Sequence, residues 1–253
     1  MLADSIRERA REREILLMTH IVVGYPTFDD SLRVVEEMVA AGVDMMELQV
    51  PFSEPIADGP VILHANQRSL QGGSTVQRCL NFAEEVAGRF EIPFYLMTYY
   101  NILFKYGVSE FSDRLASAGL SGAIVPDLPP EEAEDYLKAM RRNQLAPIFI
   151  LSPNTSDERM RTIAGCGEGF VYCVARKGVT GAETSFSPEF ARYLERCRAA
   201  TDLPLALGFG VKNRADVEFL RGQVEIAVIG TETIRVLDAK GVGGVRPFIE
   251  GLR

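Results

Sequence analysis

Tryptophan is absent from this chain, so tyrosine and phenylalanine carry its ultraviolet absorbance. Histidine is nearly absent, with only His20 and His64. The four cysteines, Cys79, Cys166, Cys173 and Cys197, form no CxxC pair. Together these shortages argue against a zinc site, and no metal is expected. Scattered, unpaired cysteines fit reduced thiols and a cytoplasmic location. No apolar run approaches the roughly 20 residues of a membrane span. The opening stretch MLADSIRERARERE is charged throughout, unlike a secretory signal. Positive charge is in deficit too: 27 Lys and Arg stand against 35 Asp and Glu, a net charge of −8. That balance speaks against nucleic acid or an anionic membrane as partner.

What is present is an alternation of short apolar runs with longer helix-period segments. The runs are Ile15–Val23, Asp44–Val50, Pro93–Thr98, Gly122–Val125, Pro147–Leu151, Gly169–Val174, Leu203–Leu207 and Glu225–Ile229. Their Val, Ile, Leu, Phe and Tyr content predicts strands buried on both faces. Amphipathic helices are predicted over Asp29–Ala41, Thr75–Arg89, Ser109–Ala118, Glu131–Asn143, Asp157–Ala164, Pro188–Ala200, Arg214–Gly222 and Gly244–Leu252. Gly42, Gly119 and Gly222 are placed to cap three of them. Eight strand–helix units in 253 residues predict a (β/α)8 TIM barrel spanning 1–253 as one domain. An extra N-terminal helix over Leu2–Glu14 is expected to cap the bottom of the barrel. A doubly wound open sheet is the alternative fold.

In a barrel the chemistry belongs at the C-terminal ends of the strands. Gly208-Phe209-Gly210, followed by Val211-Lys212-Asn213, ends the seventh unit's strand. Gly230-Thr231 ends the eighth, with a helical segment over Glu232–Leu237. Glycines let backbone N–H groups approach an anion, and a helix N-terminus favours its charge. Two such turns in consecutive late units point to a phosphate ligand. A polar segment from Arg176 to Ser187, holding Gly178-Val179-Thr180-Gly181, has the length of a lid. Near the second strand lie two acids. Glu47, flanked by Met45, Met46, Leu48 and Val50, is either a general acid/base or half of an ion pair across the barrel. Asp58, between Pro55 and Gly59, is either a turn residue or its partner in catalysis.

The run Glu47–Pro60, with Gly24-Tyr25-Pro26, resembles the tryptophan synthase alpha subunit family. Ala65-Asn66-Gln67-Arg68, Tyr99 with Asn101, Tyr106-Gly107, Pro126-Asp127-Leu128-Pro129-Pro130-Glu131-Glu132 and Ala146-Pro147-Ile148-Phe149 extend the likeness. So do Ser152-Pro153-Asn154-Thr155, Gly178-Val179-Thr180-Gly181 and Gly208-Phe209-Gly210. The resemblance implies cleavage of indole-3-glycerol phosphate to indole and glyceraldehyde 3-phosphate. It implies Glu47 as general acid/base and Asp58 as the carboxylate facing the indole N–H. It implies substrate-positioning roles for Tyr172, Thr180, Phe209, Tyr99 and His20, and a phosphate site at Gly181, Gly210, Gly230 and Thr231. No cofactor is implied in this chain. Pyridoxal phosphate is expected only in a beta subunit partner, with which an alpha2-beta2 complex is implied.

The likeness has departures. Gln49 replaces a usual Gly on the strand face of Glu47, where it is expected to crowd or hydrogen-bond that acid. His20 replaces a usual aromatic. Its simplest reading is aromatic-for-aromatic packing, the other being a tuning of acidity near Glu47. Val22, Glu54, Leu63 and Glu225 depart as well. Other readings stay open at this point: a stand-alone lyase, a phosphate-sugar isomerase, a Schiff-base aldolase using Lys177, or a non-catalytic regulatory subunit.

Overall fold

A computed structural model describes residues 2–56, 58–174, 188–208 and 210–253. Eight parallel strands close into a barrel in sequence order: β1 (Leu16–Val22), β2 (Met45–Gln49), β3 (Phe94–Met97), β4 (Gly122–Ile124), β5 (Ala146–Leu151), β6 (Val171–Val174), β7 (Leu205–Gly208) and β8 (Ile226–Ile229). β8 returns to pair with β1, Leu16 opposite Ile226 and Thr19 opposite Ile229. All eight predicted strands are present; most are shorter than predicted, while β5 begins one residue earlier and β7 ends one residue later.

The helices are α1 (Leu2–Arg13), α2 (Phe28–Ala40), α3 (Pro60–Gln71), α4 (Val76–Arg89), α5 (Tyr100–Tyr106), α6 (Val108–Ser117) and α7 (Glu134–Arg142). They continue with α8 (Asp157–Ala164), α9 (Pro188–Ala200), α10 (Arg214–Leu220), α11 (Thr231–Lys240) and α12 (Val245–Glu250). Their starts follow side-chain capping: Thr27, Thr75 and Ser156 each accept a first-turn N–H, at 3.0, 3.2 and 3.3 Å. Gly42, Gly119 and Gly222 take the positive φ expected of closing residues. The sequence reading missed α3 and α5. It also ran Glu131–Asn143 as one helix, whereas a 3-10 turn at Pro130–Glu132 precedes α7.

Alternation sorts the strand residues into two cores. Leu16, Met18, Met45, Tyr95, Ile124, Ala146, Ile148, Phe170, Tyr172, Ala206, Ile226 and Val228 fill the barrel, and Ile6 and Ala10 of α1 join them. Leu17, Ile21, Leu48, Leu96, Phe149, Cys173 and Leu207 face outward into the layer beneath the helices. So α1 closes the bottom, as expected.

A buried carboxylate fastens that end. Asp44, wholly buried just before β2, accepts Leu17 N–H at 2.8 Å. Guanidinium nitrogens surround it: Arg9 at 3.2 Å, Arg13 at 2.9 Å and Arg253 at 2.7 Å. Glu225 acts similarly on the other side, accepting Leu205 N–H at 2.7 Å and Arg198 at 3.0 Å. Both interactions leave the opposite end of the barrel open for chemistry.

Candidate active site

Glu47 and Gln49 lie two residues apart on β2, so both point into the barrel. The β1–β2 register sets His20 opposite Glu47 and Val22 opposite Gln49. On the other side of β2, Tyr95 stands opposite Glu47. Glu47 and His20 are each 2% exposed, and Glu47 Oε1 lies 2.6 Å from His20 Nδ1. A bond that short between buried groups is more than ring packing, and the packing-only reading of His20 does not hold.

Asp58 is buried beside them, on the loop between β2 and α3. Its Oδ2 accepts from Gln49 Nε2 at 2.6 Å and from Asn66 Nδ2 at 3.2 Å. Gln49 therefore braces the second acid; the expectation that it would crowd or bond Glu47 is corrected. Asn66, on α3, is itself fixed, donating to Ile62 O at 2.9 Å and accepting Phe52 N–H at 3.0 Å. Burial pushes the Asp58 carboxyl above the ordinary carboxylate range, against the stabilising hydrogen bond from Gln49. Asn66 belongs to the site, yet the sequence reading gave it no role. Its only signal was the Ala65-Asn66-Gln67-Arg68 run.

Tyr172, on β6, is buried, and its hydroxyl is held well above the usual phenol value. Burial is the first cause, and the negative charges of Glu47 and Asp58 add to it. It is therefore a hydrogen-bond donor at any physiological pH. Its ring and hydroxyl lie against Gly208, at the end of β7. A Cβ on that glycine would stand 2.3 Å from a ring carbon and 2.6 Å from the hydroxyl oxygen. Gly208→Ala is thus expected to displace Tyr172 and lower stability by about 1–3 kcal/mol through overpacking. Thermal unfolding checks this, an unchanged midpoint contradicting the close approach.

Tyr99 follows β3 and stacks on Phe52 with ring centroids 5.0 Å apart. It buttresses the loop that carries Asp58. Next to it, Tyr100 N–H donates to Asp127 at 2.8 Å, which anchors the start of α5. Gly210 has φ +103°, a conformation that favours glycine. Gly230 precedes α11, and a Cβ there would lie 3.7 Å from His20 Cβ. The glycine turn of the eighth unit thus adjoins His20. The two late helix starts differ. At α10, Lys212 and Asn213 N–H groups are taken by the Asp216 carboxylate, at 2.8 and 3.1 Å. At α11 no side chain caps the first turn, and Thr231 opens it. The N–H groups of Lys212 and Asn213 are thus already engaged, whereas the start of α11 carries no side-chain cap. Thr180, Gly181 and Phe209 lie outside the described residues, as do Lys177 and the rest of the Arg176–Ser187 segment.

Six buried side-chain polar atoms lack a hydrogen-bond partner among the described residues. His20 Nε2, Glu47 Oε2, Gln49 Oε1 and the Tyr95 hydroxyl are four of them. Leaving such an atom unsatisfied costs about 1–3 kcal/mol, so their concentration in one place marks a ligand site rather than a core.

Comparison with known proteins agrees with this arrangement. The family profile described as Tryptophan synthase alpha chain matches residues 6–243. The chain is 62% identical to the tryptophan synthase alpha chain of Syntrophotalea carbinolica over 253 residues, all of both chains. It is likewise 62% identical to that of Desulforapulum autotrophicum over 252 residues, again all of both. Among solved structures, Mycobacterium tuberculosis tryptophan synthase superimposes with a TM-score of 0.91 at 31% identity, covering 99% of this chain and 96% of that one. The tryptophan synthase α2β2 complex of Pyrococcus furiosus gives 0.87 at 29% identity, covering 94% and 97%. This chain belongs to the tryptophan synthase alpha chain family, the lyase subunits that cleave indole-3-glycerol phosphate in tryptophan biosynthesis.

Proposed function

We propose that Glu47 and Asp58 perform this cleavage as a pair, releasing indole and glyceraldehyde 3-phosphate by acid/base chemistry without a cofactor. The observation that carries this reading is the position of Glu47: buried, held through Oε1, with Oε2 lacking a partner among the described residues and Asp58 braced beside it. A bond to an aromatic carbon breaks once that carbon becomes tetrahedral. Glu47 protonates indole C3, which places positive charge on the ring nitrogen. Asp58 faces that nitrogen and stabilises the charge. Glu47 then takes the proton of the adjacent glycerol hydroxyl, the carbon–carbon bond breaks, and its electrons restore the ring. Tyr172 donates toward the two carboxylates and helps position the substrate. Gly210, Gly230 and Thr231, with Gly181, bind the phosphate, so that binding energy remote from the reacting bond orients it. Thr180 and Phe209 take the lid and indole-side positions.

Pyridoxal phosphate belongs in this reading to a beta subunit, joined in an α2β2 complex. The solved tryptophan synthase complex that this chain resembles supports the partner. So do Ile56, 72% exposed, and Phe104, 67% exposed, on the segments following the adjacent strands β2 and β3. Among the described residues no helix is long and apolar enough to cross a membrane, and no cluster of His, Cys, Asp or Glu could hold a metal ion. A cytoplasmic location is proposed with the pathway.

The test is indole release from indole-3-glycerol phosphate, with and without the cognate beta subunit. Slow release that the partner accelerates is expected, and no release in either mixture overturns the reading. In the same assay Gly210→Asp is expected to raise KM about tenfold, the loss of about 1.4 kcal/mol of phosphate binding. An unchanged KM removes Gly210 from the phosphate site.

A further inference from the structure

We propose that His20 is a positioning residue that shares one mobile proton with Glu47, so that the two side chains act as a single acid. The inference rests on Glu47 being the acid of the cleavage. Three observations carry it. The β1–β2 register places the two side chains opposite each other. Their 2.6 Å contact joins Nδ1 to Oε1 with both side chains almost wholly buried. The remaining atom of each, His20 Nε2 and Glu47 Oε2, lacks a partner among the described residues. The contact fixes the carboxyl through one oxygen and leaves the other as the transferring atom.

The dyad with one mobile proton exists in two forms: imidazolium donating from Nδ1 to the carboxylate Oε1, and neutral imidazole still donating from Nδ1 while Glu47 carries the mobile proton on Oε2. The second delivers its proton to C3. The carboxylate then formed recovers a proton from the glycerol hydroxyl as the carbon–carbon bond breaks. One proton leaves and one returns, so the dyad ends as it began and no further acid or base is needed. Imidazole is intrinsically the stronger base, its unperturbed pKa of about 6.5 lying above about 4.3 for a glutamate. A pair that includes imidazole keeps its mobile proton to higher pH than a carboxylate alone. His20 also adjoins Gly230, so the dyad lies between the ring-binding acid and the phosphate turn, where the glycerol chain must pass.

Among the described residues, the titratable groups facing the pair are few. Asp58 comes from the loop after β2, Tyr172 from β6 and Tyr95 from β3. Outside β1, His64 of α3 lies edge-on to Tyr25, and Asp238 of α11 accepts the Tyr25 hydroxyl at 2.6 Å. Also on α11, Glu232 pairs with Arg235 at 3.1 Å. On α2, Asp30 engages Arg33 at 3.6 Å and Glu36 engages Arg89 at 2.6 Å.

His20→Asn keeps a donor near the Nδ1 position and removes the second base. The pH profile of kcat for indole release is the readout. The alkaline limb of the variant's kcat profile is expected to move to lower pH by about one unit or more, because no imidazole then holds the mobile proton. KM should stay within about threefold while the limb moves, a split that a merely damaged core would not produce. An unshifted limb overturns the proposal. Because the chain has only two histidines, ring 15N NMR in a His64→Gln background isolates His20. Its titration should move when Glu47→Gln is added, and an unmoved titration also overturns the proposal. If Glu47→Gln itself stays active, the assignment of the acid fails instead, which separates the two readings.

Discussion

Glu47→Gln lowers indole release by about 10³-fold or more while leaving substrate affinity within about threefold of the parent; this is the largest catalytic effect expected of any single substitution here. Glutamine has the shape of glutamate and can keep the contact with His20 through its side-chain oxygen or nitrogen. What it cannot do is give a proton to C3 or take one from the hydroxyl. On the proposed mechanism the remaining contributions, from the phosphate turn, Asp58 and Tyr172, act on binding and on charge at the ring nitrogen, so they are expected to persist. Single-turnover indole release against calorimetric binding separates the two quantities. A variant within tenfold of the parent rate would refute the role of Glu47.

Asp44→Ala is the substitution expected to cost most in stability. It removes one buried carboxylate and leaves the three guanidinium groups of Arg9, Arg13 and Arg253 without their shared acceptor. It also leaves Leu17 N–H without its side-chain acceptor inside the barrel wall. The arginines are about one-third to one-half exposed, so water takes up part of the loss, and removing the buried acceptor costs about 2–4 kcal/mol. For a chain of this size that is a fall in Tm of roughly 4–16 °C. Thermal unfolding measures it, and a fall below 3 °C would show that α1 and β1 hold without the clamp. Indole release at low temperature should persist, because Asp44 is at the end of the barrel opposite the acids.

The barrel was legible because strands buried on both faces read as continuous apolar runs. Leu16–Val22 and Ala146–Leu151 carry that signal without help from tertiary context. α3 was not legible, since its PVILHANQRSLQ stretch buries Asn66 and Ser69 and so lacks a clean apolar stripe. α5 has only seven residues, and its start is fixed by Asp127 from the next βα segment. The two acids could be found because each sits in a distinctive local sequence. Their bracing could not, because spacing along the chain does not show which amide reaches which carboxylate. Gln49 was attributed to the acid two residues away on its own strand face; the folded chain brings Asp58 to it instead. His20 likewise gained its meaning from a register across two strands that are 27 residues apart.

The clamp at Asp44 also has a temporal aspect. Arg9 reaches it from 35 positions before and Arg253 from 209 positions after, across the seam where β8 meets β1. The Arg253 contact closes a large loop, so it is expected to form late in assembly, after the neighbouring strand pairs. Interactions absent from the transition state govern how fast a native state is lost rather than how fast it is reached. The carboxylate beneath the barrel therefore acts as a latch on lifetime, holding shut the one seam that joins the beginning of the ring to its end.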